Sequence, residues 1–298
     1  MTRLQANLTL GLAALIWGSS FVVQQVGTGE LGSMSFTGAR FLIGALVVFP
    51  FAFKQFKKVQ RSDRPMRNGD WLGLVCTGLV LYTAATLQQY GILRTSVTNS
   101  GFLTALYVPM VPFIGLIVFK KWPHWSVWPA SIGCFVGTYI MSGAHSVALA
   151  SGDWWVIAST IFWATHVIIV GEMARRTNAP LVVACGQFFF CGIFGLIVGG
   201  IVEAPSYAHF LGAVWGILYI GLFSVGIAFT LQVVGQRYTP APDAAIILSS
   251  ETVFAALGGV IFLGERLGTL QLFGAALIFA GILAVELLPM LKLAKPLK

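Results

Sequence analysis

Polar and aromatic residues recur at helical spacing inside the apolar stretches of this chain. Trp17, Ser20 and Gln24 lie three and seven positions apart, so on a helix they share one face. Trp163 and His166 repeat the start of that pattern, and Tyr82, Thr86 and Gln89 form a third stripe. Asn99 and Tyr107 add a fourth, and Ser249 and Ser250 lead into Glu251. Polar groups at bilayer depth are costly and mark substrate or ion pathways. The chemistry these types offer is recognition of a bound molecule. Trp17, Tyr82, Tyr107 and Trp163 would shape an aromatic site, while Gln24, Asn99, His166, Ser250 and Glu251 would supply polar contacts. Each group alone also reads as an interhelical hydrogen bond or a packed core residue. Their coincidence on several stretches is what points to a cavity wall.

Catalysis has no foothold. There is no HExxH, no GxSxG and no GxxxxGK[ST] in the chain, and Glu251 has no acidic partner in the first half. The four cysteines, Cys76, Cys134, Cys185 and Cys191, fall inside apolar runs without a CxxC pair, so they read as small hydrophobes and not as a metal or redox site. The reading is of a non-enzyme with no cofactor and no metal.

These residues must be positioned by membrane helices. Charged residues are 9% of the chain and hydrophobic ones 57%, against roughly 25% charged in an average soluble domain. Ten apolar runs long enough to span a bilayer are expected near 8–27, 34–53, 71–92, 98–119, 125–144, 153–172, 181–202, 211–233, 241–263 and 269–288. The first has one Arg before it, no clean small-x-small cleavage site and more length than the about 7–15 residues of a secretory apolar region, so it reads as a retained helix and not a signal peptide. Trp71, Trp122, Trp125, Trp128, Trp154 and Trp155 fall near run ends, as interfacial tryptophans do, whereas Trp17 and Trp163 fall near run centres.

The net charge of +8 sits in connections. Lys54, Lys57, Lys58, Arg61, Arg64 and Arg67 follow the second run; Lys120 and Lys121 the fourth; Arg175 and Arg176 the sixth; Arg237 the eighth; Lys292, Lys295 and Lys298 form the tail. If ten helices alternate, all share one side with Arg3, which the positive-inside rule makes cytoplasmic together with both termini. The basic balance is thus a topology signal, and the expected partners are a small-molecule substrate and the lipid bilayer, with no nucleic acid.

The chain also repeats. Leu15-Ile16-Trp17-Gly18-Ser19-Ser20-Phe21 parallels Ile161-Phe162-Trp163-Ala164-Thr165-His166-Val167. Leu87-Gln88 before Gly91 recurs as Leu231-Gln232 before Gly235, and the same offset relates Thr95 to Thr239, Lys121 to Glu265 and Gly137 to Gly281. Two five-helix halves are expected, 1–147 and 148–298. Five being odd, the second is inverted in the membrane, which is a transporter signature. The 34 glycines fit helices that approach closely through small residues. Pro109 and Pro112 should interrupt the fourth run. Thr239 is a plausible N-cap for the ninth, ahead of Pro240 and Pro242.

At these residues the sequence resembles the drug/metabolite transporter superfamily, specifically its EamA-type ten-helix exporters. The likeness runs through Trp17-Gly18-Ser19-Ser20-Phe21, Ala39-Arg40-Phe41, Gly152-Asp153-Trp154, Glu251, Gly264-Glu265-Arg266 and Gly274 to Gly281. It departs at Thr252, where such proteins often carry Pro, and at Lys120-Lys121, where a Gly-Glu-Arg-like turn would fit. The resemblance implies an all-α inner-membrane exporter working by alternating access through a central cavity. Its narrower likeness is to the aromatic amino acid exporters, the YddG-like branch. The function expected is export of aromatic and other neutral amino acids from the cytoplasm, with drugs, nucleobases or other small metabolites as the alternative cargo. Glu251 then has two candidate roles, carrying a coupling proton or contacting the substrate's ammonium. Arg40, early in the second run, reads as an anchor to a helix end or a phosphate headgroup. A lipid-modifying enzyme, a passive channel and a purely structural partner are the rivals of other classes; covalent turnover, or the absence of saturation and counterflow, would mark them.

Overall fold

The computed structural model describes residues 1–95, 97–120, 122–141, 150–254, 256–257 and 268–293, and every regular element among them is helical. In chain order these are α1 Arg3–Val26, α2 Ser33–Gln60, α3 Asn68–Ile92, α4 Val97–Thr104, α5 Tyr107–Phe119, α6 Val127–Met141, α7 Ser151–Thr177, α8 Pro180–Val202, α9 Tyr207–Gly212 and α10 Val214–Tyr219. A π-helical segment, Ile220–Phe229, then leads into α11 Thr230–Gln236, followed by α12 Ala241–Leu248 and α13 Thr269–Leu293. Lys121, Gly264-Glu265-Arg266, Lys295 and Lys298 lie outside the described residues.

Seven helical stretches are long and apolar enough to cross a membrane: Arg3–Val26, Ser33–Gln60, Asn68–Ile92, Ser100–Val118, Ser151–Thr177, Pro180–Val202 and Val214–Gln236. Val127–Met141 and Thr269–Val285 are shorter apolar helices. Large apolar side chains cover the outside, Ile117 at 76% and Ile201 at 78% exposure among them. Such an outer surface needs lipid. The protein is a multi-pass membrane protein.

Three of the expected runs are not uniform helices. The fourth breaks at residues 105–106. A proline ring in a helix clashes with the carbonyl of residue i−4, for Pro109 that of Ala105, so the interruption falls one turn ahead of the proline itself. The ninth breaks after Leu248, where Ser249 Oγ donates to Ile246 O at 2.6 Å and Ser250 Oγ to Ile247 O at 2.7 Å. Serine hydroxyls that bond the preceding turn compete with the helix ladder. Helical structure resumes at Glu251. The eighth run widens into the π segment for ten residues. Thr239 does not cap α12: its N-cap is Pro240, and Thr239 Oγ1 donates instead to Asn7 Oδ1 at 2.7 Å.

The bundle is held by crossings at glycine. α2 packs along α8, α3 along α7 and α6 along α13. A Cβ on Gly38 would lie 2.6 Å from Leu196 N, and one on Gly195 2.6 Å from Gly38 Cα. At the α6–α13 crossing, a Cβ on Gly137 would meet Gly274 O at 2.5 Å. With no hydrophobic effect to drive helices together in lipid, backbone approach of this kind supplies the packing.

The contacts themselves recur. α3 packs on α7 as α1 packs on the π segment and α11, and α4 and α5 meet α7 as α12 meets α1. Thr95 Oγ1 donates to Asp153 Oδ1, and Thr239 Oγ1 to Asn7 Oδ1. Thr95 and Thr239 are a repeat pair, and Asn7 and Asp153 share the offset of Trp17 and Trp163. One helix end is capped from a distance: α2 has no side-chain cap of its own, and Glu203 accepts from Met34 N and Ser35 N at 2.8 Å and from Ser35 Oγ at 2.7 Å. A carboxylate at a helix N-terminus satisfies orphan donors and meets the positive end of the dipole.

Candidate functional site

A cavity lies where α1, α2, α3, α7, the π segment and the broken helices converge. It holds about 650 Å³ of space not filled by atoms, its open mouth included. Small-molecule sites are lined mostly by apolar groups with a few convergent polar ones, and this lining has that character.

Its apolar wall centres on Phe229, the last residue of the π segment. Trp17 meets that ring edge-on at 4.5 Å between centroids, and Trp163 stacks against it at 5.9 Å and 18°. Phe41 tilts in at 5.7 Å. The widened turn of the π segment also leaves Ser224 O to accept from Trp17 Nε1 at 3.3 Å. π-Helical turns cluster at functional sites, where they aim side chains that a regular helix would place elsewhere. The Trp163 indole N–H is buried without a partner among the described residues.

The polar wall comes from Ser20, Gln24, Arg40, Gln88, Thr104, Ser224 and Gln232. Gln88 Nε2 donates to Thr104 Oγ1 at 2.9 Å. Arg40 Nη1 donates to Gln24 Oε1, and more loosely, at 3.4 Å, to Gln89 Oε1. Gln89 in turn donates to Gln24 O and Thr28 Oγ1. Tyr107 and Glu251 complete the lining. Each is the first helical residue after a break, and they are related by the same offset as Gln88 and Gln232. The cavity wall therefore carries repeat pairs: Trp17 with Trp163, Gln88 with Gln232, and Tyr107 with Glu251.

Of the residues singled out in the sequence, the cavity brings together Trp17, Ser20, Gln24, Tyr107, Trp163 and Glu251. His166 lies behind them, fully buried, its Nε2 within 2.8 Å of Gln187 Oε1 and its ring 6.3 Å from Phe229. Ser250 is buried with its hydroxyl bonded to Ile247 O, off the cavity lining. Tyr82 packs toward α8, its ring 6.3 Å from Phe194. Asn99 belongs to α4, and its side chain lies outside the described residues. Arg40, Gln88, Gln232 and Phe229 line the cavity without having been marked for it. Gln88 and Gln232 had a signal, since both stand in the repeated Leu-Gln pair. Of the cysteines, Cys134 and Cys191 are buried, whereas Cys76 is exposed on the outside of the bundle.

The sequence profile of the EamA-like transporter family matches residues 4–143 and again residues 150–287. The chain belongs to the EamA-like transporter family. An EamA-like transporter implies a small-molecule substrate and embedding in a membrane, which is what the cavity and the apolar exterior provide. Among curated relatives, an uncharacterized transporter of Archaeoglobus fulgidus is 30% identical over 96% of this chain and 87% of its own length. The threonine/homoserine exporter RhtA of Salmonella typhimurium is 26% identical over 84% of this chain and 80% of its own. A solved crystal structure superposes with a TM-score of 0.76 at 18% identity, covering 99% of this chain and all of that one, a likeness of fold alone.

Proposed function

We propose that this EamA-like transporter exports neutral amino acids, aromatic ones included, by alternating access through the central cavity. The observation that carries the reading is the cavity wall itself. Two indoles flanking Phe229 suit an aromatic or aliphatic side chain, and a polar wall with one cation and one carboxylate suits the backbone end of an amino acid. The kinship with a threonine/homoserine exporter supports the same class of cargo. The aromatic wall supports cargo chemistry like that of YddG-like carriers.

The architecture proposed is ten membrane helices in two inverted five-helix halves, 1–147 and 148–298, with α4–α5 and the segment through α12 and Glu251 each counted as one broken helix. Paired breaks and paired contacts support it. Broken helices mark binding sites in such folds because they put free backbone and side chains at the midplane. The membrane is the inner, or plasma, membrane, with both termini cytoplasmic. The ion pair of Arg3 with Asp243 at 2.7 Å and the bond from Arg3 to Val285 O set the start of α1 beside the latter part of α13, as same-side termini require.

In proteoliposomes, wild-type protein should carry L-phenylalanine and L-threonine with saturation. Trp163→Ala should cut phenylalanine flux by roughly tenfold, the scale of a lost aromatic contact plus its buried area. Unchanged flux in that variant would remove Trp163 from the site, and competition by nucleobases or cationic drugs but by no amino acid would transfer the machine to that cargo.

A further inference from the structure

We propose that Arg40 and Glu251 are the two charged ends of a zwitterion receptor: Arg40 takes the substrate's carboxylate and Glu251 its ammonium. The inference deepens the amino acid reading above and rests on it.

Arg40 is 3% exposed, on α2. A guanidinium carries five N–H donors in a fixed fork. Nη1 is engaged by the amide oxygens of Gln24 and Gln89, while Nη2 donates to no described residue and Nε is buried without a partner. The rings of Phe36 and Phe41 lie 5.4 and 5.5 Å from the guanidinium carbon, leaving it an apolar flank. Among the described residues the acidic partners of cations are Asp243, Glu172, Asp70 and Glu30, none of which meets Arg40. Two neutral amides orient the cation and leave its charge uncompensated. Buried charges are ordinarily paired, and a free guanidinium edge matches a carboxylate in two-pronged geometry.

Glu251 has the complementary deficit. It is 7% exposed, lines the same cavity and accepts no hydrogen bond from any described residue. Arg40 and Glu251 make no ion pair with each other. Among the described residues, one cavity therefore holds a cation and a carboxylate that are both unpaired. A ligand with a single charge would compensate one and strand the other; a ligand with both compensates both. The apolar ring wall between Trp17 and Trp163 then receives whatever side chain the zwitterion carries.

The test uses wild-type proteoliposomes and whichever of L-phenylalanine and L-threonine they carry. Its competitors are the corresponding amide, which lacks the carboxylate, and the deaminated acid (3-phenylpropionate or 3-hydroxybutyrate), which lacks the ammonium. Both should compete more weakly than the amino acid by on the order of tenfold or more, the worth of a hydrogen-bonded charge. Arg40→Gln should erase the preference over the amide and keep the preference over the deaminated acid; Glu251→Gln should do the reverse, lowering flux alike with and without a pH gradient. Equal competition in the wild type overturns the receptor while amino acid transport stands, and that arm decides the matter even if a variant fails to fold. Preferences unchanged in variants that still carry substrate overturn it too. A loss in Glu251→Gln confined to gradient-driven flux would make Glu251 a coupling group and overturn its assignment. Wild-type vesicles that carry no amino acid would overturn the receptor and the functional reading together.

Discussion

Phe229 sits between two indoles that the chain places almost a half-length apart. Its ring is 4.5 Å from Trp17 and 5.9 Å from Trp163, so it forms the shared floor of the apolar wall. Replacing it with Ala should weaken apparent affinity for phenylalanine by several-fold, since an aromatic contact contributes about 0.5–1.5 kcal/mol beyond area, and should change threonine affinity less. Competition curves for the two substrates measure this, and an equal loss for both would mean the ring supports the fold and not the side-chain pocket. The two indoles were legible in the chain because tryptophan at the centre of a span departs from its interfacial habit. Phe229 was not, because one phenylalanine among 23 in an apolar chain carries no mark; only the π segment, which depends on packing, turns it inward. His166 shows the opposite case. Its type and spacing look like a site residue, but the fold turns it to Gln187 in the bundle interior.

At the scale of elements, breaks and crossings organise the bundle. The interruption at residues 105–106 had a local cause in Pro109, whereas that at Ser249 and Ser250 has no proline and arises from hydroxyls bonding the turn behind them. Sequence periodicity spans such a break without registering it, so the run through 241–263 read as continuous. Glycine positions were visible, but which of them carry a crossing depends on what faces them. Gly38→Ala should destabilise the protein by about 1–3 kcal/mol, the usual cost of overpacking, because its new Cβ meets backbone of α8. Gly200→Ala, on the same helix pair with nothing within 4 Å, should cost nothing and stabilise by up to about 1 kcal/mol, since Ala is the better helix former. Thermal melts in detergent compare the two, and equal melting points would contradict the crossing. Glu203→Ala should cost about 1 kcal/mol, the typical value of a lost N-cap, in the same assay; an unchanged melt would show that water replaces the carboxylate.

At the scale of the whole molecule, membrane embedding followed from composition alone, and the repeat followed from a handful of matched residues. The pairing of α2 with α8, α3 with α7 and α6 with α13 did not, since nothing in an apolar helix names its neighbour. Those pairings place charge and rings from both halves around one space, the arrangement that the proposed carrier requires. The Arg3–Asp243 and Asp70–Arg176 pairs, at 2.7 and 2.9 Å, tie elements of the two halves together at helix ends. In each pair the carboxylate is buried and the guanidinium reaches it from a partly exposed position. The most direct measurement is counterflow: vesicles preloaded with unlabelled L-phenylalanine or L-threonine and exposed to a trace of the labelled form. A central cavity that alternates its opening predicts transient accumulation of label above equilibrium and saturation with rising substrate. Label that only equilibrates, at a rate linear in concentration, would contradict the account.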